Sequence, residues 1–358
     1  MNVPEEIIKE IKNNLPQDSY GDQVRYLQRK INEYSEHPDF KTIEKECNRL
    51  IGELMPEEKK AAVLDKIASE INNVKVQLKS ADDLIRRGDY ASAYEITMSL
   101  SELADRRPII EDDGESAYYN FSEDFERVIY LEIECQNGRD TAERLKETDF
   151  PYYGVYALNG TCLIEAGKYR EAAAEFKKAS YWNPASAYAR FQYVAALFKM
   201  GVDKNTWSLS IDNMKYLFRR YDISKCYYHL ALSYDAGKCF EAAIACLLLS
   251  NSYYLNKDRE EYMKAIMKET NLLPSHFTTE RMQELAREYR FPLEPEKAVV
   301  NLAYENGMNV INSDPQLAVY YLKIASDLAE SDEIRNGLIM AQKLTEEQTA
   351  GKHGDNDI

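Results

Sequence analysis

The sequence predicts an all-α chain arranged as a solenoid of stacked helix–turn–helix units, and three observations carry that expectation. Glycine (14) and proline (11) are sparse among 358 residues, which favours helices over turn-rich β structure. Apolar residues recur at steps of three and four along most of the chain, the spacing of one helical face. A four-part signature also returns: Ala93 with Leu100-Ser101, Ala172 with Ala179-Ser180, Ala242 with Leu249-Ser250, and Ala318 with Ala325-Ser326. The fixed gap sets both small residues on one face, two turns apart. Gly88, Gly167 and Gly237 stand five residues before the alanine in three copies and mark the turn ahead of the helix; the fourth has Ser313, two residues before Pro315. Units of this kind cannot bury their apolar faces alone, so they stack, and the stack is mostly a surface for binding.

Taken in order, residues 1–55 form an N-terminal helical segment of three short amphipathic helices. Their stripes are Ile7, Ile8, Ile11 and Leu15; Val24, Leu27 and Ile31; and Ile43, Cys47, Leu50, Ile51 and Leu54, with Pro16, Pro38 and Pro56 as breakers. Residues 56–121 hold a long helical hairpin and an acidic loop. Its first helix carries Leu64, Ile67, Ile71, Val74, Leu78, Ala81 and Ile85. That stripe either packs along neighbouring helices or joins two copies in a homodimer. Arg106 to Asn120, with Pro108, Glu111-Asp112-Asp113 and Gly114, is the expected long loop or hinge. The repeat array spans 122–345. Ser122 caps a helix through Phe125, Val128, Ile129 and Ile133 that ends at Asn137-Gly138, and a short helix is expected at Ala142 to Leu145. The clearest units lie at 153–254, 14 of the 27 tyrosines fall between Tyr152 and Tyr254, and a last unit covers about 299–330. Asp203-Lys204-Asn205 interrupts one unit, and the pattern lapses between Asn256 and Glu296. Residues 346–358 read as a disordered tail.

A formal net charge of −16 repels phosphate backbones and argues against nucleic acid, because Arg86-Arg87 and Arg219-Arg220 are only solvated helix ends. No run is long and apolar enough to cross a bilayer, and the N-terminal residues show no secretion signal. Six cysteines without a CxxC pair read as free thiols in a reducing compartment, so the expected location is cytoplasmic. Catalytic groups do not converge: His37, His276 and His353 fall in turns or the tail, and His229 takes a helix-packing position. No zinc-spaced histidine pair, phosphate-cradling glycine loop or nucleophile elbow occurs. The expectation is a non-enzymatic chain with no metal and no cofactor.

The stretch from Tyr153 to Pro184 resembles a tetratricopeptide repeat. Tyr156, Gly160, Leu163, Ala172, Phe176, Ala179 and Pro184 all stand at that repeat's spacing, with Gly167 in its turn. Gly160 and Ala172 would let paired helices touch, and Phe176 would fill the gap beside them. The unit from about Ile223 keeps Tyr234, Gly237 and Ala242, but has Leu230 where a small residue is usual. The resemblance implies a right-handed superhelix whose concave groove, lined by each unit's first helix, holds a peptide or protein segment. Carried over, the groove positions are Gly154, Ala157, Thr161, Ile164 and Glu165; Tyr188, Phe191, Ala195, Phe198 and Lys199; and Ser224, Tyr227, Ala231, Tyr234 and Asp235. Aromatics at such spacing also pack neighbouring helices. Ala157 and Thr161 do not match the pattern by which some members clamp acidic tails. Three functions stay open: a protein-interaction scaffold, a peptide-responsive regulator closed by the N-terminal helices, and a homo-oligomeric structural protein joined through Leu64 to Ile85.

Overall fold

The computed structural model describes residues 3–17, 19–107, 116–139, 142–202 and 206–354, with Val3 and 349–354 by backbone alone. It contains 17 α-helices among the described residues, and the fold is an all-α helical repeat solenoid. The acidic run 111–113, Gly114 and Asp203-Lys204-Asn205 lie outside the described residues. The chain divides into two compact units, 1–74 and 75–358.

The first unit contains α1 (Val3–Asn13), α2 (Tyr20–Glu33), α3 (Phe40–Glu53) and the start of α4 (Glu57–Arg86). Each of α1 to α3 buries a narrow stripe, and Ile11, Leu27, Ile43, Cys47 and Leu50 meet as one small core. Ser19 caps α2, its Oγ accepting the Asp22 amide at 3.2 Å. Because the unit boundary falls within α4, the long helix belongs to both units.

The second unit is built from consecutive helix pairs. Arg87–Asp89 turns α4 into α5 (Tyr90–Arg106); α7 (Tyr152–Glu165) pairs with α8 (Tyr169–Trp182), α9 (Ala187–Lys199) with α10 (Thr206–Met214), α11 (Arg220–Ala236) with α12 (Phe240–Tyr253), and α15 (Glu296–Val310) with α16 (Pro315–Leu328). α7 is apolar on most sides because its neighbours cover it: α5 on one side, α8 and α9 on others. After α13 (Lys257–Thr270), α14 (Thr279–Tyr289) packs back on α12, and α17 (Asp332–Gly354) packs on α16.

The turns explain the repeat. At Gly88, Gly138, Gly167 and Gly201 the backbone takes positive φ, from 71° to 80°, and closes with a paired hydrogen-bond pattern. In the Gly167 turn, Gly167 donates to Ile164 and Lys168 to Leu163, both at 2.9 Å. The same pattern recurs in the third copy one residue later than the sequence register places it. Lys238, with φ 59°, is the left-handed residue, while Gly237 sits at φ −80°. Lys238 donates to Asp235 and Cys239 to Tyr234. The alanine equivalent to Ala93 and Ala172 is therefore Ala243, whose amide donates to the N-cap carbonyl of Cys239 as theirs do to Asp89 and Lys168.

With that correction the packing unit is consistent. Ala81, Gly160, Ala231 and Gly307 are the small residues of the first helices, so Ala231 replaces Leu230 in that role. Opposite them, at one place in the second helices, stand Thr97, Phe176, Leu247 and Leu322, all fully buried. A Cβ on Gly160 would lie 2.9 Å from the Phe176 ring, and one on Gly307 would lie 2.7 Å from Leu322 Cγ. Ala172, Ala179 and Ala242 are fully buried, Gly167 and Gly237 are exposed in their turns, and Pro184 is half-buried ahead of α9.

Three local expectations are overturned. Residues 145–147 form a strand, not the end of a helix: β2 (Leu145–Glu147) pairs in parallel with β1 (Ala117–Tyr119), in register Ala117 to Leu145. Between them lies α6 (Asp124–Gln136), whose N-cap is Glu123 rather than Ser122. The Glu126 carboxylate accepts the amides of Ser122 and Glu123 there. α17 runs on to Gly354 where a tail was expected from 346; Glu346, Glu347, Gln348, Ala350 and Lys352 are helix formers that prolong a helix already seated through Ile334 and Ala341. Residues 355–358 lie outside the described residues.

Candidate protein-binding row

The first helices α7, α9 and α11 lie side by side, and the corrected register changes which of their residues form one row. The α7 and α9 positions keep their assignment: Thr161 and Ile164, then Tyr188, Phe191, Ala195, Phe198 and Lys199. On α11 the row moves one residue, from Ser224, Tyr227, Ala231 and Tyr234 to Lys225, Tyr228, Leu232 and Asp235. Burial agrees with the shift. Ser224, Tyr227 and Ala231 are fully buried and Tyr234 is 6 % exposed, while Lys225, Tyr228, Leu232 and Asp235 are half-buried.

Tyr227 and Tyr234 are core residues. The Tyr227 hydroxyl donates to the Pro292 carbonyl at 2.6 Å, and that of Tyr234 donates to the Tyr289 carbonyl at 2.7 Å. Trp207 Nε1 donates to the Tyr234 oxygen at 2.5 Å, and the Tyr227 ring stacks on Tyr253. The protein's own segment after α14 thus covers the face expected to receive a peptide. Burial of the phenols pushes both hydroxyls well above the usual tyrosine range. Phe191 is fully buried too, edge-on to His229 with the Lys225 ammonium 5.4 Å from its ring centroid.

What remains accessible is a row with polar ties between repeats. Thr161 gives its proton to the Ala157 carbonyl at 2.8 Å, so the Tyr188 hydroxyl, 2.6 Å away, is the donor to Thr161. Tyr188 is 39 % exposed, Phe198 is half-buried and Lys199 exposed. Tyr228 packs edge-on against Tyr262 of α13 and lies beneath the Arg259 guanidinium, 5.0 Å from the ring centroid. Asp235 accepts the Tyr262 hydroxyl.

Three cations stand along or beside this row, while its carboxylates are Asp235, which accepts the Tyr262 hydroxyl, and the exposed Glu165. Lys199, Lys225 and Arg259 have no carboxylate within ion-pair distance among the described residues. Arg259 is 7 % exposed and donates to Ser224 Oγ at 2.6 Å and Ser250 Oγ at 3.2 Å. Burial lowers the pKa of Lys225, which Asp222 on the same helix raises in part. Burial, with Lys225 and Arg259 adding to it, holds His229 down at about 3, so the imidazole is neutral. Lys225 and Tyr228 escape the sequence reading because a one-residue slip on a helix turns the row by 100°, and Arg259 escapes it because it stands on α13, where the repeat pattern lapses.

A polar lock that has no periodic signature in the sequence joins the neighbouring helices. Thr97 Oγ1 donates to Asn159 Oδ1 at 3.1 Å, and Asn159 Nδ2 and Ser101 Oγ donate to Glu175 Oε2 at 3.0 and 2.7 Å. It joins α5, α7 and α8 at buried side chains, which makes their mutual placement specific.

Other candidates do not gather. Cys47, Cys162, Cys226 and Cys246 are buried, Cys239 is half-buried at a helix cap, and Cys135 is exposed. Among the described residues no group of three or more His, Cys, Asp or Glu is placed to hold a metal, and no helix is long and apolar enough to cross a membrane. Of the α4 stripe, Leu78 reaches the backbone of α7 at Gly154 and Ala81 is fully buried, leaving Leu64 59 % exposed.

Paired helices with a row of accessible side chains define a helical-hairpin repeat protein. No family model and no curated protein matches the chain. Among solved structures it is similar to a chain of the APC/C hetero-tetramer Cut9–Hcn1, with 13 % identity and a TM-score of 0.31, over 93 % of this chain and 66 % of that one. It is also similar to the TPR domain of P58(IPK), with 15 % identity and a TM-score of 0.22, over 97 % of this chain and 99 % of the other.

Proposed function

We propose that the protein is a non-catalytic interaction scaffold that binds a segment of another protein along the row Ile164, Tyr188, Phe198, Lys199, Lys225 and Tyr228. The observation that carries this reading is the row of partly exposed aromatics Tyr188, Phe198 and Tyr228 beside Lys199, Lys225 and Arg259, cations with no carboxylate within ion-pair distance among the described residues. Tyrosine offers contact area at low entropic cost, and a desolvated cation gains most from an anionic partner. The favoured segment is extended, apolar and acidic.

The test is affinity capture from extract of the protein's own cells, comparing wild type with Tyr188→Ala, Phe198→Ala and Lys225→Gln. These positions are at least partly accessible, so the variants keep the fold, to be checked by circular dichroism. Loss of a defined partner in all three variants is expected. Retention of every partner overturns the site.

A further inference from the structure

A second binding place lies away from this row. Between α6, α10 and α15, and lined also by Pro292 and Pro295, is a cleft of ≈ 480 Å³. Its floor and walls are aliphatic: Ile129 and Ile133 from α6, Met214 from α10, and Val299 and Leu302 from α15. Four of these five are under a tenth exposed and belong to the main core, so the cleft is preformed. Its volume falls within the range of about 300–1,000 Å³ typical of ligand and anchor pockets.

The mouth carries three charges, and they are not equivalent. Lys215, exposed and 5.2 Å from the centroid of the neighbouring Tyr216 ring, keeps its charge, so the two carboxylates outnumber it at the mouth. Among the described residues Glu132 accepts only the Gln136 amide, at 2.9 Å. Neither Glu132 nor Glu305 has an ion-pair partner among the described residues. The two stand on different helices, α6 and α15, at one opening, and the chain as a whole is strongly acidic, with net charge −16. An apolar slot with free carboxylates at its mouth selects a matching occupant: aliphatic side chains for the slot and a cation for the mouth.

We infer that this cleft docks a basic amphipathic segment of a partner protein, its aliphatic side chains seated on Ile129, Met214 and Leu302 and its lysine or arginine between Glu132 and Glu305. The inference rests on the scaffold reading only in taking the partner to be a protein. It concerns a different surface and the opposite charge.

The test uses the full chain and a fluorescein-labelled leucine–lysine peptide of amphipathic helical pattern, read by anisotropy, with a leucine–glutamate peptide of the same pattern alongside. Ala298→Trp, at an exposed lining position, fills the slot and is expected to weaken the basic peptide about tenfold, as loss of a buried anchor does. Should that variant fail to fold, Asn301→Arg places a like charge at the mouth and is expected to weaken binding several-fold. Glu132→Gln with Glu305→Gln weakens it by about threefold. Glu57→Gln with Glu58→Gln, which removes the same charge elsewhere, leaves it unchanged, as does Tyr188→Ala. Equal binding of the acidic peptide, or wild-type affinity in the slot-filling or mouth variant, overturns the cleft. Tyr188→Ala separates this outcome from failure of the row.

Discussion

The contact between Gly160 and Phe176 sets how closely α7 and α8 approach. A methyl group at Gly160 has no room because the ring it meets at 2.9 Å is itself fully buried. Gly167 is a different case: nothing lies within 4 Å of an added Cβ, but φ is +71°. Gly160→Ala is expected to cost about 1–3 kcal/mol through overpacking, and Gly167→Ala about 1 kcal/mol through backbone strain alone. Lys238 already bears that strain, so Lys238→Gly is expected to gain a few tenths of a kcal/mol against its loss of chain entropy. Urea midpoints at unchanged slope measure all three, and a Gly160→Ala midpoint equal to wild type refutes the close-contact account. Lys238 also shows why sequence reading misplaced the α11 row. Gly237 stands where a turn glycine belongs, so a register set by it runs one residue early. Only the backbone reveals that the next residue takes the left-handed conformation, leaving Tyr227 and Tyr234 facing inward.

Two elements carry buried titratable groups with opposite consequences for stability. On α6, burial raises the Glu126 carboxyl above its usual range despite hydrogen bonds from Asn183 and the Ser122 amide. The folded state therefore holds that proton more readily than the unfolded chain, and the cost of the buried charge disappears as pH falls through the raised value. Glu126→Gln, whose amide oxygen can accept the same donors, is expected to raise stability at neutral pH. On α11, His229 is held down at about 3 from 6.5, by burial with Lys225 and Arg259 facing it. Here the unfolded chain takes up the proton first, so stability is full above 6.5 and falls toward 3, at up to about 1.4 kcal/mol per pH unit. Urea midpoints at pH 7.5 and 5.5 should converge in His229→Gln relative to wild type; an unchanged difference removes this histidine from the account. The helices themselves were legible from apolar spacing. The strands β1 and β2 were not, because three-residue strands carry no periodicity, and their pairing joins segments distant in sequence.

At the scale of the molecule, the first unit rests on a small core of Ile11, Leu27, Ile43, Cys47 and Leu50, whereas the main core of the second runs through α6, α9 to α16 and into α17. Small cores stabilise weakly, so amides of α1 to α3 are expected to exchange with solvent at lower opening free energy than those of α7, α8, α11 and α12. Hydrogen-exchange mass spectrometry on the full chain decides this, and uniform protection across both units counts against it. The all-α repeat was readable because glycine turns and small-residue gaps are local signals. The return of α14 and its following segment onto Tyr227 and Tyr234 was not, since it depends on hydrogen bonds that span 55 and 65 residues. The β1–β2 ribbon has one more consequence. It fastens both ends of the excursion that carries α6, so this helix behaves as a ligand permanently tied beside its own seat, at an effective concentration on the order of millimolar even when lifted from it. A free partner that needs the same seat at micromolar concentration would therefore have to bind it roughly a thousandfold more tightly than α6 does.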